Sequence, residues 1–84
     1  MDCVKGCIVK AAAGHDAGRF FIVLDTEGEY LFLADGKRRK VEKPKKKKHK
    51  HVFPTAHIVP VTAELTNKQA RFFLHPFNYG EKSK

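Results

Sequence analysis

Between Cys3 and Val41 four short apolar segments follow one another, and every connection between them contains glycine. That spacing leaves the chain few folds to choose from. Residues 3–12 (CVKGCIVKAA) alternate loosely, with Val4, Ile8 and Lys10 on one side and Cys3, Cys7 and Val9 on the other, which is the pattern of a half-buried strand. AGHDAG then supplies turn chemistry through Gly14 and Gly18. Arg19–Asp25 (RFFIVLD) and Tyr30–Ala34 (YLFLA) are aromatic and β-branched or aliphatic, joined by TEGE, a glycine-containing hairpin connection. Asp35-Gly36 signals a two-residue turn of the I′ type leading into a fourth strand at Lys37–Val41. Four strands in tight succession form a meander that one further strand closes into a small barrel. His51–Val61 is the candidate fifth strand, and Pro54 and Pro60, which cannot donate ladder hydrogen bonds, predict that it lies at an edge or is broken.

The period changes near the C-terminus. Thr66-Asn67-Lys68-Gln69 has the form of a capping box, and Ala70, Phe73, Leu74 and Phe77 share one helical face. Pro76 disfavours helical geometry at His75, so a short helix is expected over 67–74, followed by a frayed tail over 79–84. The expected organisation is a mostly β barrel of about five strands over residues 1–61 and a C-terminal extension over 62–84.

With 84 residues there is room for one small domain with a thin core, and a deep enzymatic cleft is not expected. Apolar residues make up 42% of the chain, near the globular average, so disorder throughout is excluded. The formal charge is +8, and it is concentrated. Lys37–Lys50 holds ten Lys or Arg residues and one acid, Glu42, a balance of +9; the remaining chain carries seven bases and eight acids, a balance of −1. Closely spaced cations repel one another until a polyanion neutralises them, so this cassette reads as a phosphate-binding element. The segment EKPKKKKHKH is expected as a charged loop between the fourth and fifth strands.

Met1 is followed by Asp2 with no basic and apolar leader, and the longest strongly apolar run, Phe20–Leu24, is far too short to span a bilayer. A cytoplasmic, monomeric protein without a membrane partner is therefore expected. Cys3 and Cys7, read on one strand about 13 Å apart, are beyond disulfide reach. His49, His51 and His57 with these cysteines lack the paired spacing of a structural zinc site, and no metal or other cofactor is expected. Neither a supported nucleophile nor a carboxylate pair is visible, which argues against an enzyme; Asp16, Asp25 and Asp35 fall in turns, where capping the backbone is their ordinary task.

Among the candidate contacts, Arg38 and Arg39 suit bidentate phosphate binding or stacking better than lysine does. The glycine turn lets a nucleic-acid backbone approach closely, flanked by Lys10, His15 and Arg19. Phe20, Phe21, Tyr30 and Phe32 are expected mostly in the core, with Phe20 or Tyr30 as the outward ring able to stack on a base. RFFIVL is apolar on both sides, so alternation does not choose its face.

GCIVKAAAGHDAGRFFIVLD followed by YLFLADGKRRKVEKPKKKKHKH resembles the bacterial KOW-domain RNA-binding proteins related to the eukaryotic and archaeal large-subunit ribosomal protein fourteen family. The resemblance covers roughly residues 3–53, and TNKQARFFL looks like the short helical tail of those proteins, although Phe72-Phe73 and HPFNYG depart from it. It implies an SH3-like barrel that binds ribosomal or other structured RNA in translation, on or near the ribosome, with Gly18 as the glycine the KOW motif requires. Carried over by position, the contacts become Gly14, His15 and Arg19 in the turn and Lys37, Arg38, Arg39 and Lys40 after it. Lys43, Lys45, Lys46, Lys47, Lys48 and Lys50 complete that set, and the histidines beside the run, His49 and His51, are read separately as adding RNA hydrogen bonds. Two other readings compete: an SH3-like protein-interaction module using its aromatic surface, and a basic nuclear address or anionic-membrane patch.

Overall fold

In a computed structural model, which describes residues 4–61 and 64–80, the chain forms a five-stranded antiparallel sheet and one C-terminal helix. The strands are β1 (Cys7–Ala11), β2 (Phe20–Glu27), β3 (Tyr30–Ala34), β4 (Lys45–Lys48) and β5 (Val52–Ile58), in the spatial order β4-β3-β2-β1-β5. The helix α1 spans Asn67–His75. The sheet is not closed, and β4 and β5 form its two edges.

Two apolar layers hold it together. Cys7, Val9, Ala11, Phe21, Val23, Leu31, Leu33 and Val52 fill the inner face. On the opposite face Ile8 and Ile22 meet Ala70 and Leu74 of α1, with Phe20, Leu24, Phe73 and Phe77 packed around them. β2 lies in both layers, which explains why RFFIVL is apolar on both sides. Truncating Leu74, almost wholly enclosed here, would remove about 2–5 kcal/mol as a core Leu→Ala change does.

The helix begins as its sequence predicts: Gln69 N–H donates to the Thr66 hydroxyl, and Thr66 N–H donates to the Gln69 side-chain oxygen. It runs one residue past the predicted end, to His75, and Pro76 itself is helical, opening a π turn over Pro76–Gly80. Proline has no N–H and crowds the carbonyl four residues back, so the α pattern stops there while the chain keeps winding in a wider turn. The Asn78 side-chain amide pins that turn by accepting from Phe20 N–H at 3.0 Å and donating to Phe20 C=O at 3.4 Å. Residues 81–84 of the predicted tail lie outside the described residues.

The strand assignment needs three corrections. β1 starts at Cys7, because Gly6 adopts a positive φ of 92° in a turn where Cys7 N–H donates to Val4 C=O; Cys3 lies outside the described residues. Lys37–Val41 is a turn, since one Asp35 carboxylate oxygen accepts the N–H groups of Lys37, Arg38 and Arg39 at 2.9 Å each, bending the backbone that a ladder would extend. Of the Asp35-Gly36 pair, only Gly36 has a positive φ, so this is not a type I′ hairpin.

The fourth strand is instead the lysine run itself, Lys45–Lys48, paired with β3 as Tyr30↔Lys48, Leu31↔Lys47, Phe32↔Lys46 and Leu33↔Lys45. Charge does not bar a strand that pairs on one side only, and lysines on an open edge discourage pairing with another chain. The link to β5 is a three-residue 3₁₀ turn, His49–His51, and not a long charged loop. β5 is an edge strand carrying Pro54, and it is shorter than the expected 51–61, since it stops at Ile58 and leaves Pro60 outside the ladder.

Candidate nucleic-acid interface

Two parts of the basic cassette meet around the β1–β2 turn. From one side, Lys47 Nζ on β4 donates to Ala13 C=O at 3.0 Å, which places the ammonium group beside Gly14. From the other, Arg39 donates to Asp16 through Nη2 at 3.0 Å and Nε at 3.3 Å, and Arg38 Nη1 lies 3.9 Å from the same carboxylate. Gly14 and Gly18 both have positive φ; at Gly18 nothing lies near the missing Cβ, so the backbone angle alone calls for glycine there. His15, between them, is exposed.

The arginines are not simply solvated. Asp16 and Asp35 are 5% and 3% exposed, and each is matched by guanidinium groups: Arg39 and Arg38 on Asp16, Arg19 on Asp35 at 3.9 Å. A buried carboxylate would be costly without such partners. Arg38 keeps most of its surface in water, whereas Arg19 and Arg39 are largely committed to structure. The turn aspartates thus do more than cap: Asp35 shapes the β3–β4 loop, and Asp16 ties the β1–β2 turn to it.

α1 braces that loop from behind. Arg71 Nη1 donates to Gly36 C=O at 2.7 Å, Val41 N–H donates to the Asn67 side chain at 2.8 Å, and the Asn67 amide donates to Glu42 at 2.7 Å. Gly36 passes so close to the Asn67 carbonyl that no Cβ fits there. The Asn67 contact is the main cause holding the Glu42 carboxyl below its ordinary value of 4.5.

β4 supplies cations set beside aromatic rings. Its register sets Lys46 and Lys48 on the face of Phe32 and Tyr30. Lys46 Nζ stands 4.7 Å from the Tyr30 ring centroid and 5.9 Å from that of Phe32; Lys48 Nζ is 5.9 Å from Tyr30. Each such cation–π contact is worth about 0.5–1 kcal/mol at an exposed site, enough to hold ammonium groups over rings without removing them from solvent. Glu27 approaches Lys46 at 3.8 Å in the open, where an ion pair contributes little. The product is a mixed patch of half-exposed rings and lysines, suited to phosphates and to the flat faces of bases alike.

The remaining candidates sit around this core. Lys40 and Lys43 lie exposed in the β3–β4 loop with Lys37, while Lys45 is half-buried at the start of β4. His49, Lys50 and His51 are exposed on the 3₁₀ turn, which His49 N–H to Glu29 C=O and Ala12 N–H to His51 C=O hold between the β2–β3 hairpin and the end of β1. Lys10 stands apart on the helix-covered face, 5.8 Å from the Phe20 ring. Of the strand aromatics only Phe21 is fully enclosed; Phe20 packs beneath Phe77, and both Tyr30 and Phe32 face outward. The expectation that most would be core is corrected, because a bulge in β2 between Val23 and Asp25 turns Asp25 and Glu27, instead of apolar residues, toward Phe32 and Tyr30.

Asp16, Asp35, Asn67 and Arg71 are the organising residues that spacing did not reveal. The only sequence signal was two acids in turns beside an arginine pair. Among the described residues, no group of three or more His, Cys, Asp or Glu could hold a metal ion, and no helix is long and apolar enough to cross a membrane. A scan against protein-family models finds no match, and a search among curated proteins finds none either.

Proposed function

We propose that this chain is a non-enzymatic RNA-binding protein, a KOW-type domain with an SH3-like, partly open barrel, that docks on ribosomal or other structured RNA in the cytoplasm. The observation that carries this reading is the patch on β3 and β4, where Lys46 and Lys48 stand over Tyr30 and Phe32 while Lys47 secures the glycine turn alongside. Lysines lead the encounter by displacing counterions from phosphates, and the turn and rings then fit the backbone and any unpaired base. The barrel part of the reading is supported by an inner-face core that draws on four strands, and by the 3₁₀ turn that carries the chain from one sheet edge to the other.

A salt titration tests the mechanism. If about six phosphates are neutralised, log affinity for a structured RNA falls against log salt with a slope near −4 to −5. A flat response overturns the proposal.

Exposed Phe53 and Ile58, 61% and 62% accessible on the β5 edge, favour a protein-interaction module as the second reading. Changing Lys45–Lys48 to Gln separates the two: RNA affinity collapses under the first, while partner binding along β5 survives under the second.

A further inference from the structure

A cleft of about 640 Å³ lies between the β3–β4 loop and α1, away from the lysine strand. Arg19, Lys37, Lys68 and Arg71 line it, together with Asp35, Phe72 and Leu74. Among the described lining residues four cations stand against one carboxylate, and Lys68 and Arg71 on α1 make that side of the cleft positive, which suits an anionic occupant. The carboxylate adds a second requirement. The Asp35 side chain is 2% exposed; its Oδ1 takes three backbone N–H groups, while its Oδ2 accepts no hydrogen bond from the described residues and lies 3.9 Å from the Arg19 guanidinium. A buried acceptor in that condition favours a ligand carrying a donor.

The donor must be neutral, because a cationic one would meet four like charges. It therefore belongs to the same molecule as the anion, a pairing found in a hydroxyl-bearing phosphate. Phe72 narrows the choice further: it lines the cleft yet is 74% exposed, leaving a ring face open to a flat partner. We propose that this cleft binds one nucleoside monophosphate unit. Its phosphate lies toward Lys68 and Arg71, its ribose hydroxyl donates to Asp35 Oδ2, and its base rests on Phe72. The volume suits one such unit, within the roughly 300–1,000 Å³ usual for small-ligand sites.

An unpaired nucleotide of a bound RNA and a free mononucleotide present the same chemistry. The first source rests on the RNA-binding reading above; the second does not.

The test uses the full chain with three probes: adenosine 5′-monophosphate followed by amide NMR shifts, an RNA duplex with a single unpaired adenosine, and the same duplex fully paired. The mononucleotide should shift the amides of Asp35, Lys68 and Phe72 saturably. The bulged duplex should bind about tenfold more tightly than the paired one, the scale of one base stacked on an aromatic ring. Phe72→Ala, at an exposed position, should erase that tenfold and leave paired-duplex affinity unchanged, and Lys68→Gln should weaken the mononucleotide. Nucleotide shifts with no bulge preference assign the site to a free mononucleotide. Absence of both overturns the proposal even where the paired duplex binds with a steep salt slope. Nucleotide shifts in a protein whose duplex binding is flat in salt sustain this site and sink the RNA-docking reading instead.

Discussion

The two halves of the basic cassette look alike in sequence and behave differently in the fold. Lys37–Lys40 (KRRK) is bent into a loop by Asp35, and Arg39 is fastened to Asp16. Lys45–Lys48 (KKKK) is an extended edge strand on which Lys46 is exposed and the other three lysines are half-buried, with the Lys46 and Lys48 ammonium groups beside Tyr30 and Phe32 and that of Lys47 on Ala13 C=O. Charge density alone does not identify a contact surface. What matters is whether a buried carboxylate has already claimed the cation. In the first half Arg39 is architecture for the turn it touches, while the Lys37, Arg38 and Lys40 side chains stay exposed. In the second the lysines sit on a strand beside that turn, two of them against rings.

Breaking the architectural half should have the largest effect. Asp35→Ala removes three hydrogen bonds and leaves Arg19 without its buried counter-charge, for an expected loss of about 3 kcal/mol, read by chemical denaturation. An unchanged midpoint would mean that the loop holds its shape without Asp35.

The displayed half should respond in binding instead. Lys46→Gln with Lys48→Gln is expected to reduce affinity for structured RNA on the order of tenfold or more and to make the salt slope shallower by about 1.5, with stability changed by less than about 0.5 kcal/mol. Arg39→Gln supplies the contrast: a stability loss of about 1 kcal/mol with the slope almost unmoved. Equal slope changes in the two variants would erase the distinction between the halves.

Lys47 belongs to both, since it lies on the strand and holds the turn. Lys47→Met should hasten hydrogen exchange across residues 13–18 and weaken RNA binding about threefold, leaving the β3–β4 ladder protected. The smallest effect concerns pH. Because the Glu42 carboxyl is held below 4.5 chiefly by Asn67, its contribution is complete above that value and is lost as pH falls through the lower folded-state value. Glu42→Gln should therefore lower neutral stability slightly and flatten the acid limb of the stability curve below about pH 4.5, where the two proteins converge.

Local chemistry was legible where neighbours in sequence decide it. The capping box at Thr66, the apolar face through Ala70 and Leu74, the glycine turn at 13–18 and the proline-bearing edge strand all follow from propensity and spacing, because each depends on residues a few positions apart. The address of the charge was legible in the same way. Which half of that charge is committed was not, because it depends on Asp16, 23 residues before Arg39, and on Arg71, 35 residues after Gly36. Nor was the lysine strand, since its ladder is made with Tyr30–Leu33 on the far side of the β3–β4 loop, a pairing that no local pattern in KKKK records. Sequence alone determined that one short segment would carry the positive charge and that a small β framework would hold it. Tertiary structure decided which cations face water, because an ion pair between distant residues is set by where the backbone brings them, and no local pattern records that distance.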